Sequence, residues 1–228
     1  MFGKPPLAVL FPWLALALTL LSTAFSRGRF LRRHDDYKSV LLYFASFFVL
    51  LFVFPVLLIL LFSDRPAEFL KLVGLTPGHF GRGFLLTAAA LPLAFLSARI
   101  GTADPKMRAF YPFAKSACAG RGRFALYESA YLVLYYLPWE FAYRGLLFFP
   151  ILAATDLPTA LAIQAALSTL YHLGHPETEI FAALGAGFAF GLVAYWTQSV
   201  FYSTLIHAFV GLSTDLLICR RARRDSGR

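Results

Sequence analysis

The sequence predicts an all-α, polytopic bundle of transmembrane helices, on three observations: composition, the lengths of the apolar runs, and where positive charge falls. Hydrophobic residues make up 59% of the chain and charged residues 14%, with a mean hydropathy of +0.66. An ordinary soluble domain carries about 25% charged residues. A hydrocarbon core about 30 Å thick takes roughly 20 apolar residues per helix, so 228 residues have room for about seven crossings with short loops. The natural reading is a single transmembrane domain over 1–228, with a motif-bearing core at 124–219.

In order, the spans read 7–25, 39–63, 83–100, 124–153, 158–174, 178–196 and 199–219. The first is preceded only by Lys4 and followed by four arginines, the flanks of an outward-facing signal anchor that stays attached. The fourth is too short for two crossings and long enough for one kinked or tilted helix, with Pro138 placed where a kink would fall. In the sixth, Ala183, Gly187 and Gly191 form a small-xxx-small strip that lets a neighbouring backbone come close. The many aromatic residues fit lipid-facing and interfacial anchoring.

A net charge of +9 is not a nucleic-acid footprint here, because the basic residues lie at span edges. One group is Arg27, Arg29, Arg32, Arg33 and Lys38; the second runs from Arg99 to Arg123; the third is Arg220, Arg221, Arg223, Arg224 and Arg228. The positive-inside rule puts all three in the cytoplasm, giving an outside N-terminus and an inside C-terminus. A bacterial cytoplasmic membrane is the expected location. Arg65, Lys71 and Arg82 run mildly against this, diluted by Asp64 and Glu68. Cys118 and Cys219 then fall on the reducing side, so no disulfide is expected.

Three polar ladders step by four residues through the apolar segments: Tyr136/Glu140/Arg144, Gln164/Ser168/His172 and Ser203/His207/Gly211/Asp215. Positions four apart share a helix face, so three helices can turn polar stripes toward one interior. An ionisable residue at membrane depth reads first as a functional site. His175 and Glu177 lie past the fifth span and His34 and His79 in loops, and none is given chemistry. Asp215, about two turns beyond His207, is expected to cap a cavity or pair with the cytoplasmic arginines.

The chain has no HExxH, GxSG or GxGD string; what remains is a glutamate and two histidines on separate helices. Pro138-Trp139-Glu140-Phe141-Ala142-Tyr143-Arg144-Gly145, then Tyr171-His172-Leu173-Gly174-His175-Pro176, then Leu205-Ile206-His207-Ala208 resemble the CPBP (Abi) family of intramembrane proteases, which includes the type II CAAX prenyl endopeptidases. The family's pattern is EExxxR, a histidine ending FxxxH, and HxxxN or HxxxD. Trp139 stands in place of its first glutamate, Ser168 of its phenylalanine and Gly211 of its last Asn or Asp. The WEFxxRG form also resembles the myxosortase-like branch. The resemblance implies a site of Glu140, Arg144, His172 and His207. It leaves two readings of the missing first glutamate: Glu140 has taken over water activation, or the protein is inactive.

Peptide hydrolysis needs a base for water, a donor to the oxyanion and an acid for the leaving amine. Glu140 suits the base, with Arg144 one turn away to orient and neutralise it. His172 and His207 suit either donation to the carbonyl or the holding of a divalent metal such as zinc. The leading expectation is an intramembrane endopeptidase whose substrate is a membrane-associated protein or peptide, such as a C-terminal tail at the bilayer. The alternatives are an inactive family member acting as a binding or assembly partner, and a proton or ion pathway using the same ladders. Glu140 and Arg144 alone would read as a structural ion pair.

Depth imposes a condition on a shared site. At 1.5 Å per residue, Glu140 sits about 24 Å above Phe124, while His172 and His207 sit about 21 and 12 Å below the outer ends of their spans. The fourth helix must tilt or begin as an interfacial segment, or the fifth must begin deeper.

Overall fold

The computed structural model describes residues 5–22 and 36–226. Lys4, Arg27, Arg29, Arg32, Arg33, His34 and Arg228 lie outside the described residues. Among the described residues the chain is helical, with no strand, in the order α1 (Pro5–Leu21), α2 (Tyr37–Phe62), α3 (Pro66–Leu72), α4 (Phe80–Gly101), α5 (Pro105–Phe110), a 3-10 turn (Lys115–Ala119), α6 (121–154), α7 (Leu157–Leu170), α8 (Glu177–Thr197) and α9 (Phe201–Ser226). Four helices, α2, α4, α8 and α9, are each long and apolar enough to cross a membrane; α7 and the Leu10–Leu21 stretch of α1 are shorter apolar helices. Together they form an all-α membrane bundle.

Starts and stops follow local chemistry. Asp36 accepts the Lys38 and Ser39 backbone N–H groups to cap α2, and Asp156 accepts that of Thr159 at 2.8 Å to cap α7, each satisfying donors that a helix start leaves open. The fifth span was expected to run to 174, but α7 ends at Leu170. Gly174, at φ +90°, allows the chain to turn back, and Pro176 precedes α8; a left-handed glycine followed by proline is a stop signal. The truncation puts His172 on a turn beyond the helix end.

α6 is continuous but not uniform. Turns of π type occupy Leu132–Tyr136 and Phe141–Leu147, on either side of a short α stretch, Leu137–Glu140, that contains Pro138. Such wide turns commonly occur at functional sites and ease the ring of a mid-helix proline. Around α6 packs an aromatic core: Phe44 stacks on Tyr131 with ring centroids 4.6 Å apart, and Phe47 stacks on Tyr135 at 4.4 Å. α9 lies along α4, and α7 along α8. The small-residue strip holds as a packing device: a Cβ on Gly191 would sit 2.6 Å from Leu161 and 2.7 Å from Gln164.

Two basic groups meet at one end of the bundle, where the Tyr37 hydroxyl donates to the Arg123 carbonyl at 2.8 Å and Arg223 donates to the Cys118 carbonyl. At that same end the expectation of no disulfide fails. Cys118 and Cys219 are joined, with Cα atoms 5.2 Å apart. Charge at span edges bears on sidedness alone, whereas the disulfide depends on the tertiary contact of the 3-10 turn with α9.

Candidate functional site

Glu140 is fully buried on α6. Its Oε1 accepts from His207 Nδ1 of α9 at 2.8 Å, and its Oε2 lies 3.3 Å from Arg144 Nε. The second contact is an ion pair whose geometry falls short of a hydrogen bond, since neither atom has a hydrogen-bond partner. Arg144 also lies over the Phe190 ring, 5.6 Å from its centroid. Two ladders therefore meet, as their spacing predicts. Because a carboxylate only accepts, His207 carries its proton on Nδ1 and turns Nε2 elsewhere.

His172 reaches the site by another route. Its Nδ1 lies 2.9 Å from the Ser168 carbonyl, so that nitrogen is the donor. Gln164 and Ser168 are packing contacts: Gln164 donates across to the Gly187 carbonyl at 2.7 Å, and Ser168 donates to Ala165 at 3.1 Å. His172 does not touch Glu140. It faces Trp139, with ring centroids 5.3 Å apart, and shares with His207 a cavity of about 140 Å³. His172 and His207 line one cavity, and α7 carries its histidine past its own end at Leu170.

The cavity wall includes Tyr136, Trp139, His172, His175, Glu179 and His207. Glu140 is absent from that wall: it stands behind His207. Two wall residues escaped the sequence reading. His175 is not an idle interfacial residue, since its Nδ1 lies 2.9 Å from Glu179 Oε1 and its side chain is almost fully buried. Glu179, in the first turn of α8, also accepts from the Tyr111 hydroxyl at 2.6 Å and lies 3.9 Å from His172 Nε2. The HxxxE spacing from His175 to Glu179 was the available signal, hidden by the break between span and loop. Glu177 is exposed and pairs with Lys106 at 3.3 Å.

The departures from the family pattern have visible structural correlates. Trp139 is buried between Tyr135 and Tyr143. Gly211 lies against Tyr136, so that a Cβ there would fall on the Tyr136 hydroxyl; the phenol fills the space a larger residue would need. Asp215 is fully buried with neither oxygen hydrogen-bonded. Among the described residues it forms no ion pair with an arginine; Arg221 lies 4.0 Å from Asp225 and Arg223 donates to the Cys118 carbonyl.

Among the described residues no three His, Cys, Asp or Glu side chains are grouped to hold a metal ion. His172 and His207 each have Nδ1 engaged elsewhere, which leaves two Nε2 atoms and no gathered third donor.

Fold and site together define a helical membrane protein with a carboxylate-backed imidazole and a second imidazole at one internal cavity. Residues 125–213, which carry all of Glu140, Arg144, His172 and His207, match the model of the family described as Rce1-like, type II CAAX prenyl endopeptidase. The matched stretch, less than half of the chain, holds the site and is similar to the CPBP/CAAX protease family that the motif strings resemble. No curated protein and no solved structure matches the chain.

Proposed function

We propose that the protein is an intramembrane endopeptidase that cleaves a membrane-associated peptide segment, such as the C-terminal tail of another membrane protein, with water activated at the cavity by histidine and glutamate. The observation that carries this reading is the meeting of His207, backed by sealed Glu140, with His172 at one cavity. Glu140 acts through His207: a buried carboxylate on Nδ1 fixes the ring and offsets the charge it gains on protonation. The protonated ring then offers Nε2–H to the oxyanion and afterwards to the leaving amine. Arg144 neutralises Glu140 when the ring is neutral. His172, its Nδ1 held by Ser168, presents Nε2 as an acceptor to water. With no third ligand gathered, no step is routed through a metal, and cleavage is expected to continue in a strong chelator.

The test is cleavage of a membrane-tethered reporter peptide by purified protein in liposomes. His207→Ala should lower the rate by about 10²–10⁴, and Glu140→Gln should lower it by a smaller factor. Unchanged cleavage in both variants overturns the proposal.

A further inference from the structure

We propose that His172 and Glu179 together bind the hydrolytic water, with Glu179 as the group that receives its proton; this rests on the endopeptidase reading above. Among the described residues Glu179 is the one carboxylate on the cavity wall, whereas Glu140 is sealed and engaged by His207 and Arg144. The Glu179 carboxylate is held from two directions, by the Tyr111 hydroxyl and by His175 Nδ1, both on Oε1. Its Oε2 has no hydrogen-bond partner. Two donors on one oxygen fix the carboxylate's orientation, and the four lone-pair sites over its two oxygens leave it capacity for a further donor.

His172 sharpens the assignment. The Ser168 carbonyl can only accept, so Nδ1 bears the hydrogen and Nε2 of the neutral ring is a lone pair. That lone pair faces Glu179 Oε1 at 3.9 Å. Two acceptors facing each other at this distance repel unless a molecule with two hydrogens joins them. A water about 2.8 Å from each atom sits between them, donates one hydrogen to each, and turns its own lone pairs toward the cavity.

In the reaction, the water oxygen bonds to the carbonyl carbon while one of its protons passes to Glu179 and from there through cavity water to Nε2 of His207. The new Nε2–H holds the oxyanion. The C–N bond then breaks, its electron pair stays on nitrogen, and that nitrogen takes the proton from His207 Nε2. Glu179 is again a carboxylate and His207 again neutral, so the sum is one water consumed, one carboxyl and one amine formed. His175 and Tyr111 touch neither substrate nor water in this scheme; they position Glu179.

The experiment is single-turnover cleavage of the tethered reporter in liposomes by wild type, Glu179→Gln and Glu179→Ala. Glu179→Gln should lower the rate by about 10²–10⁴ with reporter binding within about threefold, and added formate should restore part of the Glu179→Ala rate, a rescue that a structural role would not show. Glu179→Gln cleaving within about twofold of wild type overturns the water site and leaves the endopeptidase reading standing. Failure of formate rescue, with both variants folded and binding the reporter, also overturns it. Absence of cleavage by wild type overturns the endopeptidase reading itself, and this inference falls with it.

Discussion

Glu140 and Glu179 each hold a histidine at the same cavity, but Glu140 is shut between helices with an arginine beside it, while Glu179 is 17% exposed and faces open space. The sealed pair rests on residues inside α6 and α9. The open one joins a turn, the start of α8 and Tyr111 from the segment after α5. A charge with no route to water requires a fixed counter-charge, whereas a carboxylate at a cavity can exchange partners with whatever enters. The difference teaches which wall carries the fold and which carries exchangeable chemistry.

The comparison breaks most readily at Arg144. Arg144→Met leaves Glu140 buried with only His207 for a partner, and unfolding should become easier by about 3–5 kcal/mol. The double variant Arg144→Met/Glu140→Gln should recover part of that, because no unpaired charge remains. Glu179→Gln should shift the unfolding midpoint far less. Equal losses for Arg144→Met and Glu179→Gln in thermal unfolding would erase the distinction.

The second prediction concerns the tie between the walls. Cys118 follows the Tyr111 segment and Cys219 lies on the helix of His207, so the disulfide joins open wall to sealed wall. Cys118→Ser/Cys219→Ser should cost about 2–4 kcal/mol in the oxidised protein, with cleavage less affected than stability. The same pair reports sidedness. Disulfides belong to oxidising compartments, yet these cysteines stand where basic residues predict the cytoplasm. A membrane-impermeant maleimide that labels them in intact cells only after reduction would invert the outside N-terminus; labelling only after lysis would support it.

How much of this could be read from the sequence follows the same division. α2, α4 and α8 fall within a few residues of the apolar runs, because burial in lipid leaves little choice of where a helix lies, while α9 continues past its run into the basic C-terminal segment. The link from Glu140 to His207 was legible because spacing of four on two helices survives folding. Trp139 and Gly211 were visible as departures, but not that Tyr136 fills the space beside Gly211. The open wall was not legible. Glu179 meets Tyr111 across 68 positions, and His172 is placed by the turn at Gly174 rather than by helix periodicity. The disulfide was missed for a related reason: compartment rules say where thiols oxidise, not which segments touch.

A smaller effect sharpens the sealed wall. The Tyr136 ring packs on His207 with centroids 4.6 Å apart, and its hydroxyl lies where a Gly211 side chain would go. Gly211→Ala should therefore push Tyr136 against His207 and cost about 1–3 kcal/mol through overpacking. Adding Tyr136→Leu should relieve the clash. If thermal unfolding of Gly211→Ala matches wild type, the close approach does not constrain that wall.

The smallest effect falls on the open wall, through the loop that steadies the start of α8. Asp104 accepts the Lys106 backbone N–H at 2.8 Å and the Thr178 hydroxyl at 2.9 Å, one residue before Glu179. The backbone hydrogen bond, then the Thr178 hydroxyl, hold its carboxyl below the ordinary aspartate value. A carboxyl lowered in the folded state adds stability at pH above the unfolded value, near 3.9, and loses it as pH falls through the folded value. Asp104→Asn should flatten the acid limb of the unfolding curve between about pH 5 and pH 3 and leave the neutral-pH rate of reporter cleavage close to wild type. An unchanged acid limb would mean that this contact contributes nothing to the placement of α8, and Glu179 would then be held by His175 and Tyr111 alone.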